Sequence, residues 1–137
     1  MALGILAAAA LMFFPEIVGD PSQLTADDLA TTVYFDYGSD TLGSAGEALV
    51  ADRASLALLA GFERATVTGH ADKAGPIGQN YRTGLARAEA VAEALVEAGF
   101  SRGAISVESA GETDPAIDHE DERREPRNRR AEIDFSR

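Results

Sequence analysis

Between residues 80 and 98 the chain repeats its apolar residues at the spacing of an α-helix, and this stretch constrains everything around it. At about 100° per residue, Tyr81, Leu85, Ala88, Val91, Ala92, Leu95 and Val96 fall in one stripe, as a helix lying on a sheet requires. Gly99 follows where a left-handed residue ends a helix. Arg87 falls on the shoulder of the stripe, so it is expected neither in the core nor on the open solvent face. Gly84, one turn earlier, leaves the adjacent groove unfilled. A glycine inside a helix costs about 1 kcal/mol against alanine, which calls for a packing or ligand reason. The shoulder beside Arg87 is expected to be a slot.

The remaining elements alternate around this helix. Residues 31–35 are β-branched and aromatic, a strand by composition, and Asp36-Tyr-Gly-Ser ends it. Ser44-Ala-Gly-Glu47 reads as a capping box opening a first helix that runs to about residue 60, with Gly61 as its stop. A short second strand is expected at 66–68, then a Gly/Pro loop over 70–78. Residues 105–109 read as a third strand and 131–135 as an alternating fourth. Thr25-Ala-Asp-Asp is a short capped turn, and the folded domain is expected to occupy residues 25–137.

Composition excludes several chemistries. The formal charge is −11, from 12 basic and 23 acidic residues, which argues against a nucleic-acid partner because phosphate binding needs a basic face. With no cysteine there is no disulfide scaffold, thiolate metal site, cysteine nucleophile or lipid-modified N-terminal cysteine. Residues 2–14 are an unbroken apolar run ended by Pro15-Glu16, and residues 19–23 read as a linker. Thirteen residues match the core of an export signal and fall short of the roughly 20 that span a bilayer. No Lys or Arg precedes the run and no small-x-small cleavage site follows it. Residues 1–24 are therefore read as an apolar signal-like or anchor segment plus linker, with a signal of truncated start, a poor membrane anchor and an apolar helix as the alternatives for the run.

Candidate site residues concentrate at the loop before the long helix. His70 and Asp72 could supply two metal ligands, and Asp118, His119 and Glu120 more, but a zinc or iron site needs three or four convergent ligands and only the first two are locally placed. No metal and no cofactor is expected. A Ser-His-Asp triad lacks a serine on a strand-to-helix elbow. The mixed charges of residues 118–130 read as a solvated loop. Asp72 lies at a strand end in a loop feeding a helix N-terminus, where α/β sheets commonly place ligands. Its plain reading is a cap or a partner for Lys73; its functional reading is a counter-charge for a ligand ammonium. Arg87 would take a ligand carboxylate in bidentate fashion. One carboxylate and one guanidinium flanking a slot describe a receptor for a zwitterion.

The stretch VTGHADKAGPIGQNYRTGLARAEAVAEALVEAGF resembles the central motif of the OmpA-like (OmpA/MotB) peptidoglycan-binding domain. Gly69, His70, Ala71, Asp72, Gly75, Asn80, Gly84, Arg87 and Ala88 stand at the motif positions. The flanks VYFDYGSDTL, SAGETDP and NRRAEI are similar too, so the likeness runs over residues 33–135. The resemblance implies an α+β fold of order β-α-β-α-β-β, with two main helices packed on one face of a mixed sheet. It implies a non-enzymatic module that grips the diaminopimelate of the wall's stem peptide, Asp72 taking the ammonium and Arg87 the carboxylate. Asn80 would shape the loop, Asp36 and Tyr37 would line the rim, and Gly84 would border the ligand.

Arg129 and Arg130 match the family's arginine pair and are read mainly as structural. In the alternating strand, Arg130 would share a face with Glu132 and Asp134, and Arg129 with Ala131, Ile133 and Phe135. Ala71, Thr83 and Gly38 depart from the usual Thr, apolar and Asp/Asn residues, which bears on affinity. The implied setting is periplasmic and outer-membrane associated, with peptidoglycan as partner and outer-membrane or envelope proteins as further partners. Two other readings stay open: a wall hydrolase using Asp72 and His70 as acid and base, and a protein-binding adaptor that has lost the ligand.

Overall fold

A computed structural model describes residues 19–113, 115 and 124–137. The apolar run at 2–14 and the candidate ligands Asp118, His119 and Glu120 lie outside the described residues.

The described residues run from a 3-10 turn (Pro21–Gln23) through α1 (Ala26–Leu29) and β1 (Thr31–Tyr34) to α2 (Ser44–Leu59) and β2 (Arg64–His70). Then come α3 (Ile77–Glu97), β3 (Ile105–Gly111) and β4 (Arg130–Ser136). The strands form one mixed sheet in the order β1-β4-β2-β3. The last strand slots between β1 and β2, antiparallel to both, while β2 and β3 run parallel with α3 as their crossover.

Register aligns the inward residues. Ile133 stands opposite both Thr31 and Val67, and Ala131 opposite both Val33 and Gly69. Because pairing positions share a face of the pleat, these residues form one inward layer, apolar but for Thr31, whose hydroxyl donates to the Leu29 carbonyl. Val50, Ala54 and Ala57 of α2 and Ala88, Val91 and Leu95 of α3 close over it in a single core. The fold is the expected one: α+β, with both main helices joined to the same sheet layer.

Boundaries differ from the expectation where tertiary contacts decide them. Gly43, not Ser44, is the N-cap of α2; it makes no side-chain cap bond, and Ser44 already belongs to the helix. The expected Ser44–Glu47 box is therefore absent, and Glu47 sits in the first turn, where a carboxylate favours the helix dipole. A reciprocal box does form at α1, where Asp28 N–H donates to Thr25 Oγ1 and Thr25 N–H donates to Asp28.

Strand β2 carries through His70 instead of stopping at residue 68, because β4 pairs with it as far as Gly69 and β3, across a bulge, as far as His70. Helix α3 begins at Ile77 rather than Asn80. Ile77 and Tyr81 are exposed, so this first turn projects past the core and carries no apolar periodicity; Tyr81 leaves the expected stripe.

One contact fixes where α3 crosses the sheet. A Cβ added to Gly69 would lie 1.6 Å from the carbonyl oxygen of Gly84, and one added to Gly84 would lie 2.5 Å from Ser109 Oγ. Two glycines thus let helix backbone rest on strand backbone, which repays the propensity cost of Gly84. Ser109 locks the crossing by donating to the Tyr81 carbonyl at 2.7 Å.

Candidate ligand-binding site

The close crossing brings the third turn of α3 against the C-terminal end of β2. There, a cavity of about 70 Å³ is lined by Tyr37, Gly38, Ala71, Asp72, Ala74, Gln79, Asn80, Thr83, Arg87 and Arg129. Larger concavities exist elsewhere, including one of about 550 Å³ between α2 and α3, but that one is lined by alanines and carboxylates with no cation. The small cavity is where two buried opposite charges, Asp72 and Arg87, face one space.

Arg87 is buried, 1% exposed, which corrects its expected place on the shoulder. Its guanidinium donates from Nε to the Ser39 carbonyl at 2.9 Å, from Nη1 to the His70 carbonyl at 2.9 Å, and from Nη2 to the Asp36 carbonyl at 3.4 Å. It thereby ties the loop after β1 to the end of β2, with its guanidinium carbon 5.4 Å from the Phe35 ring centre. A guanidinium carries five N–H groups, so two remain for a ligand. Burial pushes its pKa down to about 10; Asp72 and Asp40 pull it up and the neighbouring Arg129 pushes it further down.

Asp72 is also buried. Its Oδ1 accepts from Ala74 N–H at 3.2 Å, and its Oδ2 accepts from Glu125 N–H at 3.1 Å and from Arg129 Nη1 at 3.2 Å. Its ion-pair partner is the guanidinium of Arg129, a residue that neither plain reading, a helix cap or a pairing with Lys73, names. A carboxylate offers about four lone-pair positions, and three are filled, leaving one on Oδ1.

Asn80, buried at the cavity edge, donates to the Gly75 carbonyl at 3.3 Å and to Glu112 at 2.8 Å, and so ties the loop before α3 to the turn after β3. Tyr37 is half exposed on the rim, with the Arg124 guanidinium 3.7 Å from its ring centre. Two expected positions differ. The Asp36 side chain is exposed and does not line the cavity; its backbone carbonyl serves Arg87 instead. Gly84 does not line it either, because its bare Cα is spent on the contact with Gly69.

Arg129, read from the sequence as mainly structural, also lines the cavity. It was expected on the inward face of β4, but it precedes the strand, at the end of a 3-10 turn (Pro126–Asn128), where alternation does not apply. From there its Nε donates to the Phe35 carbonyl at 3.2 Å and its side chain reaches Asp72. Arg130 does share a face with Glu132, donating to it at 2.7 Å. The imidazole of His70 also packs toward Glu132, 3.6 Å away, and does not line the cavity. Among the described residues no group of three or more His, Asp or Glu could hold a metal ion.

The architecture and the sequence both have relatives. The chain is 34% identical over 107 residues to a Gluconacetobacter diazotrophicus protein called an outer membrane protein, an overlap of 74% of this chain and 28% of that relative. This chain therefore corresponds to little more than a quarter of that protein. A peptidoglycan-associated lipoprotein from Burkholderia pseudomallei superposes with a TM-score of 0.71 at 25% identity, covering 89% of this chain and 98% of the other. The C-terminal domain of Helicobacter pylori MotB shares the fold at a TM-score of 0.68 and 22% identity, covering 78% and 84%. The OmpA family profile matches residues 34–129, which hold the first strand's end, both main helices and every residue lining the cavity, and the chain belongs to the OmpA family.

Proposed function

We propose that this domain binds peptidoglycan non-covalently, taking the zwitterionic end of a diaminopimelate side chain in its stem peptide, and so tethers an envelope protein or the outer membrane to the cell wall. The observation that carries this reading is the cavity that Asp72 and Arg87 share, in which each keeps open hydrogen-bonding positions. An ammonium meets the open position of Asp72, and a carboxylate meets the two free N–H groups of Arg87. Burial makes both contacts stronger than they would be in water. The wall association named for the Burkholderia relative and the outer-membrane name of the Gluconacetobacter relative support the same setting. The periplasm is the compartment where such a module meets its ligand. Among the described residues no helix is long and apolar enough to cross a membrane.

A hydrolase working through Asp72 and His70 needs both groups facing one substrate. The imidazole lies against Glu132 and Asp72 is held by Arg129, so the geometry favours binding.

The test is calorimetric titration with free stem peptide carrying diaminopimelate, beside the same peptide amidated at the carboxylate next to the side-chain ammonium. Leaving a buried charge unpaired costs about 2–5 kcal/mol, so amidation is expected to weaken binding at least about thirtyfold. Equal affinity for the two peptides overturns the reading.

A further inference from the structure

The cavity is more cationic than a zwitterion needs. Arg87 and Arg129 both line it, against the single carboxylate of Asp72. Among the described residues, the other acids near the cavity do not line it: Asp40 acts on Arg87 from outside, Glu112 accepts from Asn80, and Glu125 pairs with Arg127 at 2.9 Å. A third guanidinium, that of Arg124, sits on Tyr37 at the rim. A zwitterion adds no net charge, so on binding it leaves this excess uncancelled.

Arg129 also has donors to spare. Of its five N–H groups, Nε is given to the Phe35 carbonyl and one from Nη1 to Asp72, which leaves three. Its side chain is only 12% exposed, so water satisfies those donors poorly. It is held at both ends of the fork, by a backbone carbonyl and by a carboxylate, and is therefore pre-organised rather than mobile. A purely structural ion pair with Asp72 would not require it to line the cavity.

Resting on the wall-peptide reading above, we propose that Arg129 is a specificity-determining residue that binds a second carboxylate of the stem peptide, so that the site selects a ligand with two carboxylates and one ammonium. A tripeptide stem offers that group in two places: the glutamyl α-carboxylate, and the diaminopimelate carboxylate remote from the side-chain ammonium, which is free only where the stem ends at diaminopimelate. Either one brings the negative charge that the two guanidiniums lack.

The experiment is a calorimetric cycle of two proteins against three peptides. The proteins are the full chain and its Arg129→Gln variant. The peptides are the unmodified L-Ala-γ-D-Glu-diaminopimelate tripeptide and two amides, one at each candidate carboxylate. On the wild type, one of the two amides is expected to bind about tenfold or more weaker than the unmodified peptide, which identifies the source. On Arg129→Gln that penalty is expected to shrink to about twofold or less. If neither amide is discriminated by the wild type, or if Arg129→Gln weakens all three peptides by the same factor, Arg129 is structural and the proposal falls. Should Arg129→Gln fail to fold by circular dichroism, Arg129→Lys keeps the charge while losing the fork, and is expected to retain a reduced preference for the unmodified peptide; an unreduced preference overturns the proposal. If the unmodified tripeptide does not bind the wild type at all, the wall-peptide reading itself has failed, an outcome distinct from loss of discrimination.

Discussion

Asp72 Oδ2 lies 3.2 Å from Arg129 Nη1, across 57 residues of sequence, and this pair joins the loop after β2 to the entry of β4. Both side chains are largely buried, at 5% and 12% exposure. Removing one partner of a buried pair strands the other charge, at a cost of about 3–5 kcal/mol. Asp72→Asn is therefore expected to lower the unfolding free energy by about 3 kcal/mol, read from urea denaturation. The Asp72→Asn, Arg129→Gln double variant should lose less than the two singles summed, because the second removal no longer strands a charge. Strict additivity would show that the pair does not couple.

Arg87 is poorly probed by truncation. Arg87→Ala removes three donors to the Asp36, Ser39 and His70 carbonyls along with the ligand contact, and is expected to cost several kcal/mol of stability. Arg87→Lys keeps a charge and part of the volume; it should unfold at higher denaturant than Arg87→Ala yet still lose the bidentate grip on a carboxylate. Equal midpoints for the two variants would show that the carbonyl ties contribute little.

The depressed pKa of Arg87 carries a pH signature. Its folded value, about 10, lies below the ordinary arginine value, so above pH 10 the folded chain releases this proton before the unfolded chain does. The unfolded state then binds more protons, and stability from this group rises with pH. Below pH 10 both states are protonated and the burial penalty is constant. The stability difference between wild type and Arg87→Gln should hence stay flat from pH 7 to about 9 and shift in favour of wild type above about 10. A shift in the opposite direction contradicts the burial argument.

At the helix–strand crossing, Gly69→Ala is expected to be the harsher of two small changes. Its Cβ would meet a backbone carbonyl at 1.6 Å, which only movement of α3 can relieve. Gly84→Ala meets the Ser109 hydroxyl at 2.5 Å and the Gly69 carbonyl oxygen at 2.8 Å, and gains about 1 kcal/mol of helix propensity in return. Overpacking costs about 1–3 kcal/mol or more, so both should destabilise, Gly69→Ala most. Denaturant midpoints decide, and a neutral Gly69→Ala would refute the close approach.

Since the proposed receptor chemistry uses side-chain charges and backbone groups only, binding of wall peptide should be unchanged by EDTA. Loss of binding in EDTA, restored by zinc, would make His70 a ligand.

A chain beginning at Asp20 should keep the cooperative unfolding of the full chain, since it retains Leu24, which packs against the core. Losing that transition would place residues 1–19 in the fold.

Local chemistry decided much of this. The stripe through Ala88, Val91 and Leu95 announced α3, alternation at Ala131, Ile133 and Phe135 announced β4, and the Gly/Pro loop with Asp72 at its start marked the candidate site, because each pattern depends only on neighbours along the chain. Tertiary structure decided the rest. Pairing with β4 to Gly69 and with β3 to His70 extended β2, an influence that residues 64–70 do not encode alone. Carbonyls from the loop after β1 drew Arg87 inward, though helical periodicity places it at the edge of the buried stripe. Arg129 stands apart most clearly. Its alternation with Ala131 pointed to a core face, but it lies before the strand begins, and only the slotting of β4 between β1 and β2 carries its guanidinium to Asp72. An ion pair between residues so distant in sequence leaves no periodic trace, since its geometry exists only once the sheet has formed.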